Sequence, residues 1–204
     1  MNKPALPRLG AACGAIFAIV LTIAAGDGSQ SFSSVRAVAG IAAITLALPF
    51  IAYLCSLLRQ AEGPDGWLAN TAFAAGIAGI VLKLASGVPD LVIHRTHLAA
   101  GTQLNTAFGA IGDGLTVLAL YPLALFCAAT AIIAFRTHAL PRWLSAGAAI
   151  SAAALVINGV ILGAEAVPAL LLFLLWTVLA SVYLLRQSWR SPAPATRTEA
   201  VARA

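Results

Sequence analysis

Charge is scarce in this sequence: Asp, Glu, Lys and Arg together make up 9% of its 204 residues, against 61% hydrophobic residues. About a quarter of an ordinary soluble domain is charged, because its surface must be solvated, so this composition excludes a soluble globular domain. Cysteine is also scarce. Cys13, Cys55 and Cys127 all lie inside apolar runs, where cysteine acts as a small hydrophobe, and no CxxC or Cys/His spacing links them. A disulfide framework and a zinc ribbon are therefore not expected. The phosphate-binding loop, dinucleotide fingerprint, GxSxG elbow and HExxH helix are absent too, which removes support for nucleotide-driven transport by this chain and for common soluble-enzyme chemistries. The net charge of +5 and pI near 9.6 would suit nucleic acid, but the basic residues sit at the ends of apolar segments and in the tail. There they read as topology signals and contacts to lipid headgroups, so membrane lipids and not nucleic acid are the expected partners.

What the chain has is long apolar runs, with a mean hydropathy of +0.94. They predict an all-α fold, a polytopic integral membrane bundle of six transmembrane helices over about 10–26, 36–58, 67–93, 104–135, 143–162 and 169–185. Residues 1–190 form a single membrane domain, and 191–204, with Pro192, Pro194, Arg197 and Arg203, form a disordered basic tail. The first run, with Lys3 and Arg8 ahead of it and small residues near Ala24, has the layout of a signal peptide; retention as a first span is the preferred reading. Pro49 and Pro122 predict bends in the second and fourth spans. At 27 residues the third span reaches about 40 Å, beyond a hydrocarbon core of roughly 30 Å, so its ends protrude or it tilts. The weakly apolar start of the fourth, through Gly109–Gly114, is expected at the outer interface or on an irregular turn. The Gly163–Pro168 segment is expected to be a tight reversal.

Counting Lys and Arg by side gives nine, Lys3, Arg8, Arg59, Arg136, Arg142, Arg186, Arg190, Arg197 and Arg203, against two, Arg36 and Arg95, with Lys83 in the membrane. The positive-inside rule then places both termini in the cytoplasm of a multi-pass cell-membrane protein. Arginine outnumbers lysine and alanine abounds, a bias of GC-rich bacterial genomes.

The chemistry concentrates in Gly76–His97. At about 100° per residue, Gly76, Gly79, Lys83, Gly87, Asp90, His94 and His97 fall on one stripe. A charge at mid-bilayer costs about 2.5–3.5 kcal/mol, so Lys83 must face protein or water. Seven residues, about 10 Å, separate Lys83 from Asp90, which makes Asp113 of the next span the expected partner, directly or through water. Asp27, Asp90, His94, His97, Asp113 and Glu165 converge on the outer side. Three readings compete for the polar cluster of Lys83, Asp90 and Asp113: an ion pair that fixes helix packing, an ion-coupled transporter, and a membrane hydrolase in which His94, His97, Asp90 and Asp113 bind zinc and activate a water. Ser86, Asp90 and His94, spaced four apart, loosely resemble the Ser, Asp and His of membrane hydrolases of the ceramidase and adiponectin-receptor type. No second HxxxH pair exists, and His138 is expected on the opposite side. The leading expectation is a structural or interaction protein with no assigned catalytic residue and no cofactor beyond possible zinc. Its partners would be lipids and a second copy or another membrane protein.

A family resemblance enters between Ala107 and Gly163. An acid near the start of a helix (Asp113), a long apolar run, then Leu140-Pro141-Arg142-Trp143-Leu144-Ser145 and a glycine-containing apolar helix resembles the bacterial six-helix membrane proteins of the domain-of-unknown-function 4386 family. The resemblance covers the C-terminal half by motif and the first half by segment count. It implies six helices and no activity. Members often pair an Arg and a Glu in the third span; here Lys83 stands in the basic place and Ser86 where the acid would be.

Overall fold

The computed structural model describes residues 5–25, 34–64, 66–96, 101–162 and 167–190. They are helical throughout except for short connections, with no strand among them: α1 (Ala5–Ala25), α2 (Ser34–Glu62), α3 (Trp67–Ser86), α4 (Val88–Thr96), α5 (Gln103–Thr137), α6 (Arg142–Ile157), a π-helical turn (Asn158–Leu162) and α7 (Val167–Arg190). Five stretches, Gly40–Glu62, Trp67–Ile93, Gln103–Thr137, Arg142–Ile161 and Pro168–Ser188, are long and apolar enough to cross a membrane. The chain is a multi-pass helical membrane protein. The apolar window counted in the first helix, Arg8–Ile23, is shorter than these.

Neighbours in sequence are neighbours in space. α1 packs on α2, α2 on α3, α3 on α5, α5 on α6, α6 on α7, and α7 returns to α1, so the long helices close into a ring while α4 lies against α5. Short connections force this antiparallel order, as in other helix bundles. Ile41, Phe73, Val81, Leu118, Leu125, Ile132, Ile150, Leu171 and Leu175 remain exposed around the outside. In a soluble protein that would be an aggregating surface; around a membrane bundle it is the face that meets acyl chains.

The interior is built by small residues that let large ones in. A Cβ on Gly76 would come within 2.8 Å of Ile51 Cγ2 and 3.2 Å of Phe126 Cδ2, and one on Gly79 within 2.7 Å of Leu123 Cγ. These two glycines let α3 lie close against α2 and α5. Phe126 is fully buried and meets Trp176 of α7 edge to face, with ring centroids 6.1 Å apart, inside the 4.5–7 Å range typical of such pairs. The Trp176 indole N–H donates to the Leu144 carbonyl of α6 at 3.0 Å, which ties α6 to α7 through a backbone group.

Two expectations change. The apolar stretch Trp67–Ile93 has the expected bounds, but it is two helices, broken at Gly87, whose N–H bonds back to Leu84 O at 3.2 Å. Pro89 disfavours helical geometry in the residue before it and has no N–H to continue the ladder. Secondly, of the two alternatives expected for Gly109–Gly114, an outer-interface position or an irregular turn, the irregular turn does not form: α5 runs unbroken for 35 residues through it and through Pro122. Thr102 starts that helix by accepting the Asn105 N–H on its side-chain oxygen, and His138 ends it in the left-handed region, φ 56°, with its N–H on Ala134 O. The helix α6 gives way to a π turn at Asn158, a form often found at functional or strained sites. The Gly163–Pro168 reversal, the cleavage region after Ala25 and the tail lie mainly or wholly outside the described residues.

Candidate functional site: the polar end of the α3–α5 seam

Lys83 occupies the last turn of α3. Its ammonium donates to Thr116 Oγ1 of α5 at 3.1 Å, and its side chain is half-buried. One helical turn before Thr116 stands Asp113; beyond the Gly87 break stands Asp90. Both carboxylates lie within Coulomb range of Lys83, and Asp90 lies within range of Asp113 as well. No direct ion pair joins Lys83 to either of them among the described residues, and both acids are exposed.

The helix break is what assembles this group. Ser86, 7% exposed, turns its hydroxyl back onto Lys83 O at 2.8 Å, which occupies one of the carbonyls that a helix end leaves unpaired. Gly112 of α5 crosses at this level: a Cβ there would lie 3.2 Å from Ser86 O and 3.8 Å from Pro89. The close approach of Gly112 to the break brings Asp113 and Thr116 up to Lys83 from one side while α4 carries Asp90 in from the other.

Depth follows from the helix rise. Thr116 is 20 residues from Arg136, about 30 Å of helix, which matches a hydrocarbon core of roughly 30 Å. Were Arg136 at one boundary, the Lys83–Thr116 bond would fall near the other, and the stem of Lys83 would cross only the margin of the apolar layer. The steep mid-bilayer cost would thereby be avoided. Asp90 and Asp113 are both exposed.

Among the described residues no group of three His, Cys, Asp or Glu side chains converges; of the four proposed zinc ligands that description includes the side chains of Asp90 and Asp113 and not that of His94. Asp90 and His94 lie on α4 and Asp113 on α5; His97 lies outside the described residues, as do Asp27 and Glu165. Sequence reasoning did not single out Thr116, and Gly112 entered it only through a Gly109-x-x-Gly112 pattern that permits close helix approach. Thr116 falls three residues after Asp113 and so on its face of the helix, but that spacing alone does not distinguish it from other threonines in apolar spans.

Elsewhere, an apolar groove of about 350 Å³ opens between α1 and α7, lined by Ala18, Ile23, Leu171 and Val178 among others. A polar cleft of about 310 Å³ opens at the far end of α3 and α5, lined by Glu62, Trp67, Leu68, Ile133, Arg136 and Thr137. No protein-family model, curated protein or solved structure matches the chain.

Proposed function

We propose that this chain is a structural or interaction protein of a bacterial inner membrane, crossing it six times with both termini in the cytoplasm. The observation that carries the reading is the bond from Lys83 to Thr116 at the end of a seam closed by Gly76 and Gly79 against Ile51, Phe126 and Leu123. A buried cation in an ion pathway needs water and an alternative partner. Here the ammonium is held by a hydroxyl beside tightly packed glycines, as a lock on helix position would be. The sixth span is α1: its 21 residues rise about 31 Å, the thickness of the hydrocarbon core. It packs on both α2 and α7. The nine-to-two distribution of Lys and Arg supports the orientation.

The two exposed carboxylates beside one ammonium favour a second reading, an ion-coupled carrier using Lys83, Asp90 and Asp113. Reconstitution into liposomes under a proton or sodium gradient separates the two. The structural reading expects flux no greater than in protein-free liposomes, with a Lys83→Met variant less stable in detergent. A flux that Lys83→Met abolishes would replace it with the carrier. For the orientation, reporter fusions at Ala204 and near Ser31 should report cytoplasm and periplasm respectively, and a periplasmic C-terminal reporter would refute the assignment.

A further inference from the structure

Among the described residues, the cleft between the start of α3 and the end of α5 carries one cation, one anion and an indole at one end of two long apolar helices. Glu62, the last residue of α2, reaches over the Gly63–Gly66 turn and accepts the N–H of Leu68 on Oε1 at 3.2 Å and that of Ala69 on Oε2 at 2.8 Å. Both oxygens thus cap α3 while each keeps a further acceptor position. Arg136 projects from the last turn of α5 and is exposed, with no hydrogen bond or ion pair among the described residues. Trp67, at 68% exposure, forms the outer wall, and Leu68 and Ile133 form the apolar floor. The Thr137 hydroxyl is already engaged, donating to Ile133 O at 2.8 Å and accepting the Ala139 N–H at 3.3 Å.

We propose that this cleft binds the headgroup of a zwitterionic phospholipid bearing a primary ammonium, of the phosphatidylethanolamine class. The planar guanidinium of Arg136 takes the phosphate through paired N–H donors, a geometry that suits it better than lysine. The ammonium donates to the free acceptor positions of Glu62. Trp67 sits at headgroup level, as interfacial tryptophans do, and the first methylenes of the acyl chains lie on Leu68 and Ile133. Charge decides among lipid classes. Among the described residues the lining carries one positive and one negative side chain, matching a zwitterion, whereas an anionic lipid would set its extra charge against Glu62. A choline headgroup matches in charge but has no N–H to give. Arg59 lies close by, its Cγ 3.4 Å from the Cβ position of Gly66, but it is exposed and does not line the cleft.

The test is native mass spectrometry of the purified full chain in a neutral detergent, titrated in parallel with phosphatidylethanolamine, phosphatidylcholine and phosphatidylglycerol of identical acyl chains. The ethanolamine lipid should bind about tenfold tighter than the choline lipid, the value of one charge-assisted hydrogen bond. Arg136→Gln should weaken it about tenfold, with Arg136→Lys intermediate. Glu62→Gln should bring the ethanolamine and choline lipids together. Equal binding of all three lipids, a preference for the glycerol lipid, or ethanolamine binding unchanged by Arg136→Gln would each overturn the site. Arg136 is exposed, so its variants fold; should Glu62→Gln disturb the cap on α3, the Arg136 series alone decides.

Discussion

Lys83 Nζ and Thr116 Oγ1 meet at 3.1 Å between α3 and α5, and this contact, not an ion pair, is the direct anchor of the lysine. A hydrogen bond to a charged group contributes about 1.5–3 kcal/mol when buried, and the half-buried position of Lys83 puts the value toward the lower end. Thr116→Val should lower stability in detergent by about 1 kcal/mol in the native background and by much less beside Lys83→Met. A double-mutant cycle over the four proteins measures this; strictly additive losses would show that the contact does not form.

The carboxylates act on the same lysine at longer range. Asp113→Asn should therefore couple to Lys83→Met by less than about 1 kcal/mol, as exposed charge pairs do, and the coupling should shrink in high salt. A salt-insensitive coupling of about 3–5 kcal/mol would mean a buried direct pair instead.

Glycine position predicts the sign of substitution along this pair of helices. At Gly79 a Cβ would strike Leu123 at 2.7 and 2.8 Å, with the Leu123 backbone N at 3.3 Å, whereas at Gly109 nothing lies within 4 Å. Gly79→Ala should lower the thermal midpoint through overpacking worth about 1–3 kcal/mol. Gly109→Ala should raise it, since alanine is better than glycine within a helix by up to about 1 kcal/mol.

The helical class, the apolar stretches and the stripe through Gly76, Gly79 and Lys83 were legible because hydrophobicity and a 3.6-residue period are properties of sequence alone. Thr116 was not, because a threonine in an apolar span is common and only the approach of Gly112 to the Gly87 break, at 3.2 Å from Ser86 O, brings it to Lys83. Glu62 was missed for a similar reason. Its role as a cap on α3 depends on a reversal at Gly63, φ 96°, that folds the carboxylate over residues six and seven positions ahead. The unbroken α5 shows the converse: Gly109, Gly112 and Gly114 look like breakers in sequence, yet packing on α4 and a Thr102 cap carry the helix through them.

Trp176 should be sensitive even to an aromatic replacement. Its N–H donates to a backbone carbonyl, Leu144 O, at 3.0 Å while the ring is only 3% exposed. Trp176→Phe removes the donor and part of the ring that meets Phe126. The expected loss is about 2–4 kcal/mol, combining the lost hydrogen bond with the cavity. Phe173→Leu nearby, whose ring only stacks obliquely on Trp176, should lose less, in thermal melts of the two variants.

Thr130 offers the opposite outcome. Its hydroxyl is fully buried and has no hydrogen-bond partner among the described residues, whereas the hydroxyl of Thr177, also buried, donates to Phe173 O at 2.9 Å. Valine has the shape of threonine without the hydroxyl, so the two Thr→Val substitutions differ chiefly in what the lost group was bonded to. An unsatisfied buried hydroxyl carries a desolvation penalty of about 1–3 kcal/mol, while a satisfied one makes a net favourable contribution. A membrane environment reduces both, because the unfolded reference in lipid also finds partners. Thr130→Val should therefore be more stable than Thr177→Val by about 1 kcal/mol, with the native protein between them. If Thr130→Val melts below Thr177→Val, the Thr130 hydroxyl is engaged by an internal water between α5 and its neighbours, and the interior at that level is wet.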